Sequence, residues 1–294
     1  MVLSCGTRQG GVASPILFAI CINDIFCKLQ QSSLGCHIRF ICFNAFLYAD
    51  DLLLLSLSLD DMQKMINICK SELDWLDMEI NAKKSGCIRI GPRFDVGCAK
   101  LCIDNEPIEW VSELSYLGLI IKPAKSFKCC FHAKKVKFYR GVNGILSKLG
   151  TVPQISVTLA ITSTNCHPIL LYGLEALKLN KTDMNTLSHH YDSVFMKLFQ
   201  SFNKTVITLC QYYCDELPLE QLIHIKTLNF YARISAAEFL PANLLFHRFG
   251  KHAFDEIAMK YNLGYCCRTK LLNLRTNVLT FLWHHVRIHT LTPN

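Results

Sequence analysis

The run FLYADDLLLLSLS, Phe46 to Ser58, constrains this chain more than any other stretch, because two adjacent acids, Asp50 and Asp51, interrupt a long apolar segment. Burying an unpaired carboxylate is so costly that such a group neutralises, pairs or binds a metal, so a partner is owed to these two. The flanking residues, IRFICFNAFLY and LLLLSLS, are rich in β-branched, aromatic and leucine side chains. They read as two strands of a hairpin with the acids at its tip.

Around that hairpin the sequence predicts a mixed fold. Ser14 and Pro15 form a helix N-cap and first-turn proline for a largely buried helix to about Gln30, and Asp60 or Asp61 caps a second helix to about Asp77, with Met65, Ile68, Cys69, Leu73 and Leu76 on one face. A short strand at CIRIG, a break at Gly91-Pro92, a hairpin turning at Asp104-Asn105 and a strand at SYLGLII follow. From Phe127 the periodicity is helical: Phe131, Phe138, Val142, Ile145 and Leu149 share a stripe, as later do Met184, Leu187, Tyr191, Val194 and Leu198. The expected class is α+β, a partial antiparallel sheet with packed helices followed by helical regions. Its domains are expected at 1–123, 124–180 and 181–294.

A chain of 294 residues, 51% hydrophobic, is long enough to bury a sizeable core. The first residues, MVLSCGTRQG, show no charged leader, and the Phe46 run is split before it reaches membrane-spanning length. A soluble intracellular protein is expected, in nucleus or cytoplasm, with no membrane partner; its oligomeric state is not legible. The 16 cysteines are scattered, several among apolar neighbours as in FAICINDIF and MINICK, so most read as reduced core residues. Cys98 with Cys102, and Cys210 with Cys214, read the same way. Cys266, Cys267, His284, His285 and His289 contain zinc-ligand types without the usual spacing of paired cysteines and fit a packed helix better. The glycosylation patterns at Asn180 and Asn203 are chance matches if the chain is not exported.

Charge is distributed unevenly. Between Leu114 and Leu174 there is no Asp or Glu, yet Lys122, Lys125, Lys128, Lys134, Lys135, Lys137, Arg140 and Lys148 supply eight positive charges, equal to the whole formal excess of +8. Such a stretch suits a polyanion, because neutralising phosphates releases condensed counterions; an ordinary solvated basic helix has the same composition.

GTRQGGVASPILFAICINDI, YADD, LDMEINAKKSGCIRIG and SELSYLGLII follow one another in an order and spacing that resembles the palm of reverse transcriptases of LINE-type, non-LTR retrotransposons. KFYRGVNGILSKLG and CHPILLYGLEALKL resemble the thumb and following helices of that family. The resemblance implies RNA-directed DNA polymerisation on an RNA template and DNA primer, with deoxynucleotides as substrates. It implies two Mg²⁺ ions held by carboxylates, with Asp50 as principal ligand and Asp51 as its neighbour. Hard oxygen donors suit that ion. Lys84 takes the place of the family lysine near the triphosphate, with Lys83 an adjacent competitor. Gln9, Gly10 and Gly11 match the loop against the incoming nucleotide. Arg8 meets phosphate or template, or is an exposed salt-bridging residue. Tyr116, Leu117 and Gly118 match the primer grip. The thumb resemblance gives Lys128, Lys134, Lys135, Lys137 and Arg140 the duplex backbone, with lysines facing outward.

One departure bears on activity. The family needs a third carboxylate on a strand preceding the RQGG loop, and here the first acid of any kind is Asp24, already past that loop. The expectation is therefore an N-terminally truncated palm, inactive alone. The alternatives are a non-catalytic nucleic-acid-binding remnant or the product of a decayed reading frame.

Overall fold

The computed structural model describes residues 11–149, 154–238, 240–261 and 278. The chain divides into two compact units, Met1–Cys130 and Phe131–Asn294. The first mixes helices with small sheets and the second is helical among its described residues. This is the α+β class read from the sequence.

In the first unit, α1 (Ser14–Ser32) buries Ile22, Ile25 and Leu29, spaced three and four apart on one helical face. Ala13, not Ser14, occupies the cap position, and the Ser14 amide donates to Gly11 O in a turn leading into the helix. The helix is less buried than expected, since Ile16, Leu17 and Ile20 are exposed. Next come β1 (Cys36–Ile38) and β2 (Ile41–Phe43), then β3 (Ala45–Tyr48) and β4 (Asp51–Leu54), each pair an antiparallel hairpin. The segment IRFICFNAFLY is thus not one strand. Arg39, at φ +55°, turns the chain between β1 and β2, and Asn44 separates β2 from β3.

Helix α2 (Leu59–Trp75) is capped by Ser58, whose hydroxyl accepts the Asp61 amide at 3.1 Å. Asp60 and Asp61 lie instead in the first turn, where carboxylates favour the positive end of the helix dipole. Met65 and Cys69 join α1 in one core, against which Leu52 and Leu54 of β4 pack. Burial pushes the Cys69 thiol up to about 12, as expected of an inert core cysteine. Cys21 and Cys27, by contrast, are exposed, so the core reading does not extend to FAICINDIF.

Ile66 carries the other side of α2 into a second core with Leu101, Ile103 and Ile108. These belong to a sheet ordered β5 (Gly86–Cys87), β7 (Glu106–Trp110), β6 (Leu101–Ile103). Gln63 satisfies edge strand β6 by donating to Cys102 O and accepting from Cys102 N, at 2.8 and 2.9 Å. Asp104 and Asn105, both at positive φ, make the expected turn. SYLGLII is a hairpin rather than a single strand: β8 (Leu114–Tyr116) and β9 (Leu119–Lys122) turn at Leu117-Gly118, and β10 (Lys128–Cys130) extends the sheet. Helical structure consequently begins at His132, not Phe127.

The second unit comprises α3 (His132–Leu149), α4 (Ile155–Asn165), α5 (His167–Leu171), a 3₁₀ turn Leu174–Ala176, α6 (Lys181–Phe199), α7 (Lys204–Tyr213), α8 (Leu219–Ser235), α9 (Leu240–Leu245), a π turn Phe246–Gly250 and α10 (Lys251–Lys260). The predicted stripes are buried at Phe131, Phe138 and Val142 and at Leu187, Tyr191 and Val194. A Cβ on Gly141 would come within 2.9 Å of Cys166 Sγ, so this glycine allows α3 its close approach to the α4–α5 corner. Asn180 and Asn203 are N-caps, accepting the Asp183 and Thr205 amides. That role accounts for asparagine ahead of both Lys-Thr pairs. No helix among the described residues is long and apolar enough to cross a membrane.

Candidate active site

The β3–β4 hairpin closes on the pair Tyr48 and Asp51, leaving Ala49 and Asp50 as a two-residue loop. Ala49 lies at φ +52°, a left-handed conformation that the alternation of a tight hairpin turn demands and that a residue with a Cβ adopts at a cost. The pleat puts Asp51 on the face of β4 that also carries Leu53, opposite Leu52 and Leu54, which pack on the α1–α2 core. Both acids are exposed, and neither is ion-paired among the described residues. The acids stand at the tip of a hairpin, as the sequence predicts; what differs is the flanking strand β3, which is not sunk in the core. On β3 only Ala45 is buried, whereas Phe46, Leu47 and Tyr48 are exposed.

Asn44 fixes this hairpin to α1. It is fully buried, its Nδ2 donates to Leu29 O at 2.8 Å, and its Oδ1 accepts from Gln30 Nε2 at 2.9 Å. Its own carbonyl accepts the Leu55 amide at 2.8 Å. Sequence reading did not single it out; a lone amide inside an apolar strand pattern was the available signal.

Tyr116 is half-buried, and its phenol is held above its ordinary range first by burial and then by the negative charge of Asp51. The acidic tip thus lies within electrostatic reach of the β8–β9 turn, which Leu117 at φ +45° and Gly118 at φ +74° complete. Lys84 is exposed in a turn held by Asn81, whose side-chain oxygen accepts the Lys84 amide at 3.1 Å; Lys83 beside it is also exposed. Neither ammonium forms an ion pair with the acids among the described residues. Gly11 precedes α1, while Arg8, Gln9 and Gly10 lie outside the described residues, as do Cys266, Cys267, His284, His285 and His289.

Residues 1–121 match the family model of reverse transcriptase (RNA-dependent DNA polymerase). No curated protein matches the chain. The reverse transcriptase match contains the hairpin acids, Lys84 and the Tyr116–Gly118 turn, and it ends within β9. The basic helix α3 lies beyond it. Two carboxylates at a hairpin tip offer the hard oxygen donors that a divalent cation prefers. Among the described residues no group of three or more His, Cys, Asp or Glu is arranged to hold a metal.

The basic residues separate by environment. Lys128, on β10, is exposed, as are Lys137 and Arg140 on α3, and Lys135 is half-buried. Lys134 departs from the expected outward face. It is 9% exposed, its Nζ donates to Tyr172 O, and it stands 5.3 Å from the Tyr172 ring and 6.0 Å from the Phe131 ring. This lysine closes the end of α5, where a cation satisfies both a terminal carbonyl and two aromatic faces.

Proposed function

We propose that this chain is a reverse transcriptase of the non-LTR, LINE-like type, in which the β3–β4 tip holds catalytic divalent cations and the basic helix α3 grips a template–primer duplex. The observation that carries the reading is the match of residues 1–121, which contain the hairpin acids, Lys84 and the Tyr116–Gly118 turn, to the reverse transcriptase family model; the charge of Asp51 acting on Tyr116 agrees with it. When bound, Mg²⁺ would lower the pKa of a primer hydroxyl and neutralise the leaving pyrophosphate. The chain's own residues do the positioning. Asp50 and Asp51 project oxygens from a rigid turn, Tyr116 to Gly118 set the primer strand beside them, and exposed Lys137 and Arg140 hold duplex by its phosphates, which fixes register without reading sequence. Lys84 is assigned to the triphosphate, and Arg8 to Gly11 to the incoming nucleotide and template.

Charge neutralisation supplies most of the rate at such sites. A second reading is duplex binding without catalysis, which the exposed Lys128, Lys137 and Arg140 would support whatever the acids do. Primer extension on an RNA template with Mg²⁺, with and without Asp50→Asn, separates them. The polymerase reading expects extension that falls about 10²-fold in the variant while duplex affinity holds. Extension indifferent to Asp50 would refute the metal assignment, and no extension with intact binding would leave the non-catalytic reading.

A further inference from the structure

On α3, Lys135, Tyr139 and Asn143 recur at four-residue intervals and share one face. His190 and Lys197 of α6 meet that face. The His190 and Tyr139 ring centroids are 4.9 Å apart, Lys197 Nζ stands 5.5 Å over the Tyr139 ring, and the same ammonium donates to Asn143 Oδ1 at 2.6 Å. Tyr139 therefore lies between an imidazole and an ammonium. One hydrogen bond to Asn143 leaves Lys197 with donors to spare. Helix α3 contains no acid. Of the two acids of α6, Asp183 sits in the first turn and Asp192 accepts from Gln211 of α7 at 2.9 Å. None of Lys135, Lys137, Arg140 and Lys197 is ion-paired with a carboxylate among the described residues. The seam is thus a concentration of positive charge without internal compensation.

We propose that the α3–α6 seam centred on Tyr139 binds the phosphate backbone of a nucleic acid, with Lys135 and Lys197 contacting phosphate and His190 taking up a proton as it binds. The proposal rests on the nucleic-acid reading above and adds α6, which lies outside the matched domain, to the contact surface.

The electrostatics fit proton uptake. His190 is held below its ordinary range by burial first, and then by the charges of Lys135 and His189, against the opposing contact of its Nδ1 with Thr186 O at 2.6 Å. The other charged groups packed around α6 act elsewhere: Lys204 of α7 on Asp192 and Glu220, and Glu220 of α8 with Lys260 and His224. These causes favour the neutral imidazole. A phosphate beside Lys135 offsets the repulsion from that lysine, the lesser cause after burial, and so raises the proton affinity of His190. By reciprocity the protonated form binds phosphate more tightly.

The test is anisotropy of a labelled RNA–DNA hybrid duplex, titrated with the full chain between pH 8 and 6 and over a range of salt. Affinity is expected to rise as pH falls, by at most about tenfold per pH unit for one proton. His190→Gln is expected to abolish that dependence. Lys135→Ala with Lys197→Ala is expected to flatten the log–log salt slope by about 1.8, the loss of two phosphate contacts. Should the double variant unfold, Lys197→Ala alone, at an exposed position, is expected to flatten it by about 0.9. Unaltered pH dependence in His190→Gln, or an unaltered salt slope in the lysine variants, overturns the proposal. If Lys137→Ala and Arg140→Ala weaken binding while the seam variants bind as the parent does, only the seam is lost. If the parent binds no duplex at low salt, the nucleic-acid reading fails with it.

Discussion

Asn44 determines where the acidic hairpin sits, because its amide closes hydrogen bonds to two residues of α1 while its backbone starts the β3–β4 ladder. A buried amide that meets both kinds of partner contributes modestly, whereas removing it strands the groups it served. Asn44→Ala takes the acceptor from Gln30 Nε2 and one donor from Leu29 O, which keeps the Ser32 hydroxyl at 2.7 Å, and is expected to cost about 1–2 kcal/mol. A urea titration of parent and variant checks it; a change within about 0.5 kcal/mol, the range of ordinary surface substitutions, would remove Asn44 from the anchoring role. Little of this was legible. The Asp104-Asn105 turn announced itself, since those side chains tolerate positive φ. Ala49, Leu117 and Arg39 take the same conformation with side chains that give no such signal, each held there by the hairpin it closes.

Among elements, periodicity read well where burial is one-sided. The stripe of α2 and those of α3 and α6 lie in cores as the spacing required, and the hairpin β6–β7 has the expected turn. What failed was the division of continuous β-type runs, where side-chain type is uniform and only the turn decides, and the helix start at α3, whose preceding residues pair as β10. Long-range pairs were outside its reach altogether, the α8–α10 contact among them. There His224 Nδ1 lies 2.7 Å from the Tyr261 hydroxyl, with Glu220 bridged to Lys260 at 2.7 Å. His224 is held below its ordinary range by burial first and by Lys260 second, with Glu220 and Glu256 opposing. Because its folded pKa is the lower, the unfolded chain binds more protons as pH drops through the ordinary histidine range near 6.5. Stability from this group is therefore present above that range and lost on acidification, by at most about 1.4 kcal/mol per pH unit. Thermal unfolding followed from pH 7.5 to 5.5 should show the Tm falling, and His224→Gln should flatten the fall; an equal slope in both would assign it to other groups.

At the scale of the molecule, the matched domain exposes apolar side chains on two neighbouring elements. Phe46, Leu47 and Tyr48 lie open on β3, and Ile16, Leu17 and Ile20 lie open on α1. The β3–β4 pair is a two-stranded sheet on its own, so among the described residues its outer backbone edges have no partner strand. An apolar edge strand without charge or proline is a template for pairing with another chain, and natural proteins blunt such edges with lysine or cover them. AFLY carries no lysine, and among the described residues no further strand pairs with it. The chain is therefore expected to self-associate through this edge, with sedimentation velocity showing species larger than 33.5 kDa that grow with concentration. Phe46 is a suitable probe because it is 42% exposed and lies on the strand itself. Phe46→Lys puts a charge on the edge at little cost to the core and should shift the distribution to monomer, with the Tm of the dilute protein nearly unchanged. A parent chain that remains monomeric at high micromolar concentration would show that some other part of the molecule already shields the hairpin.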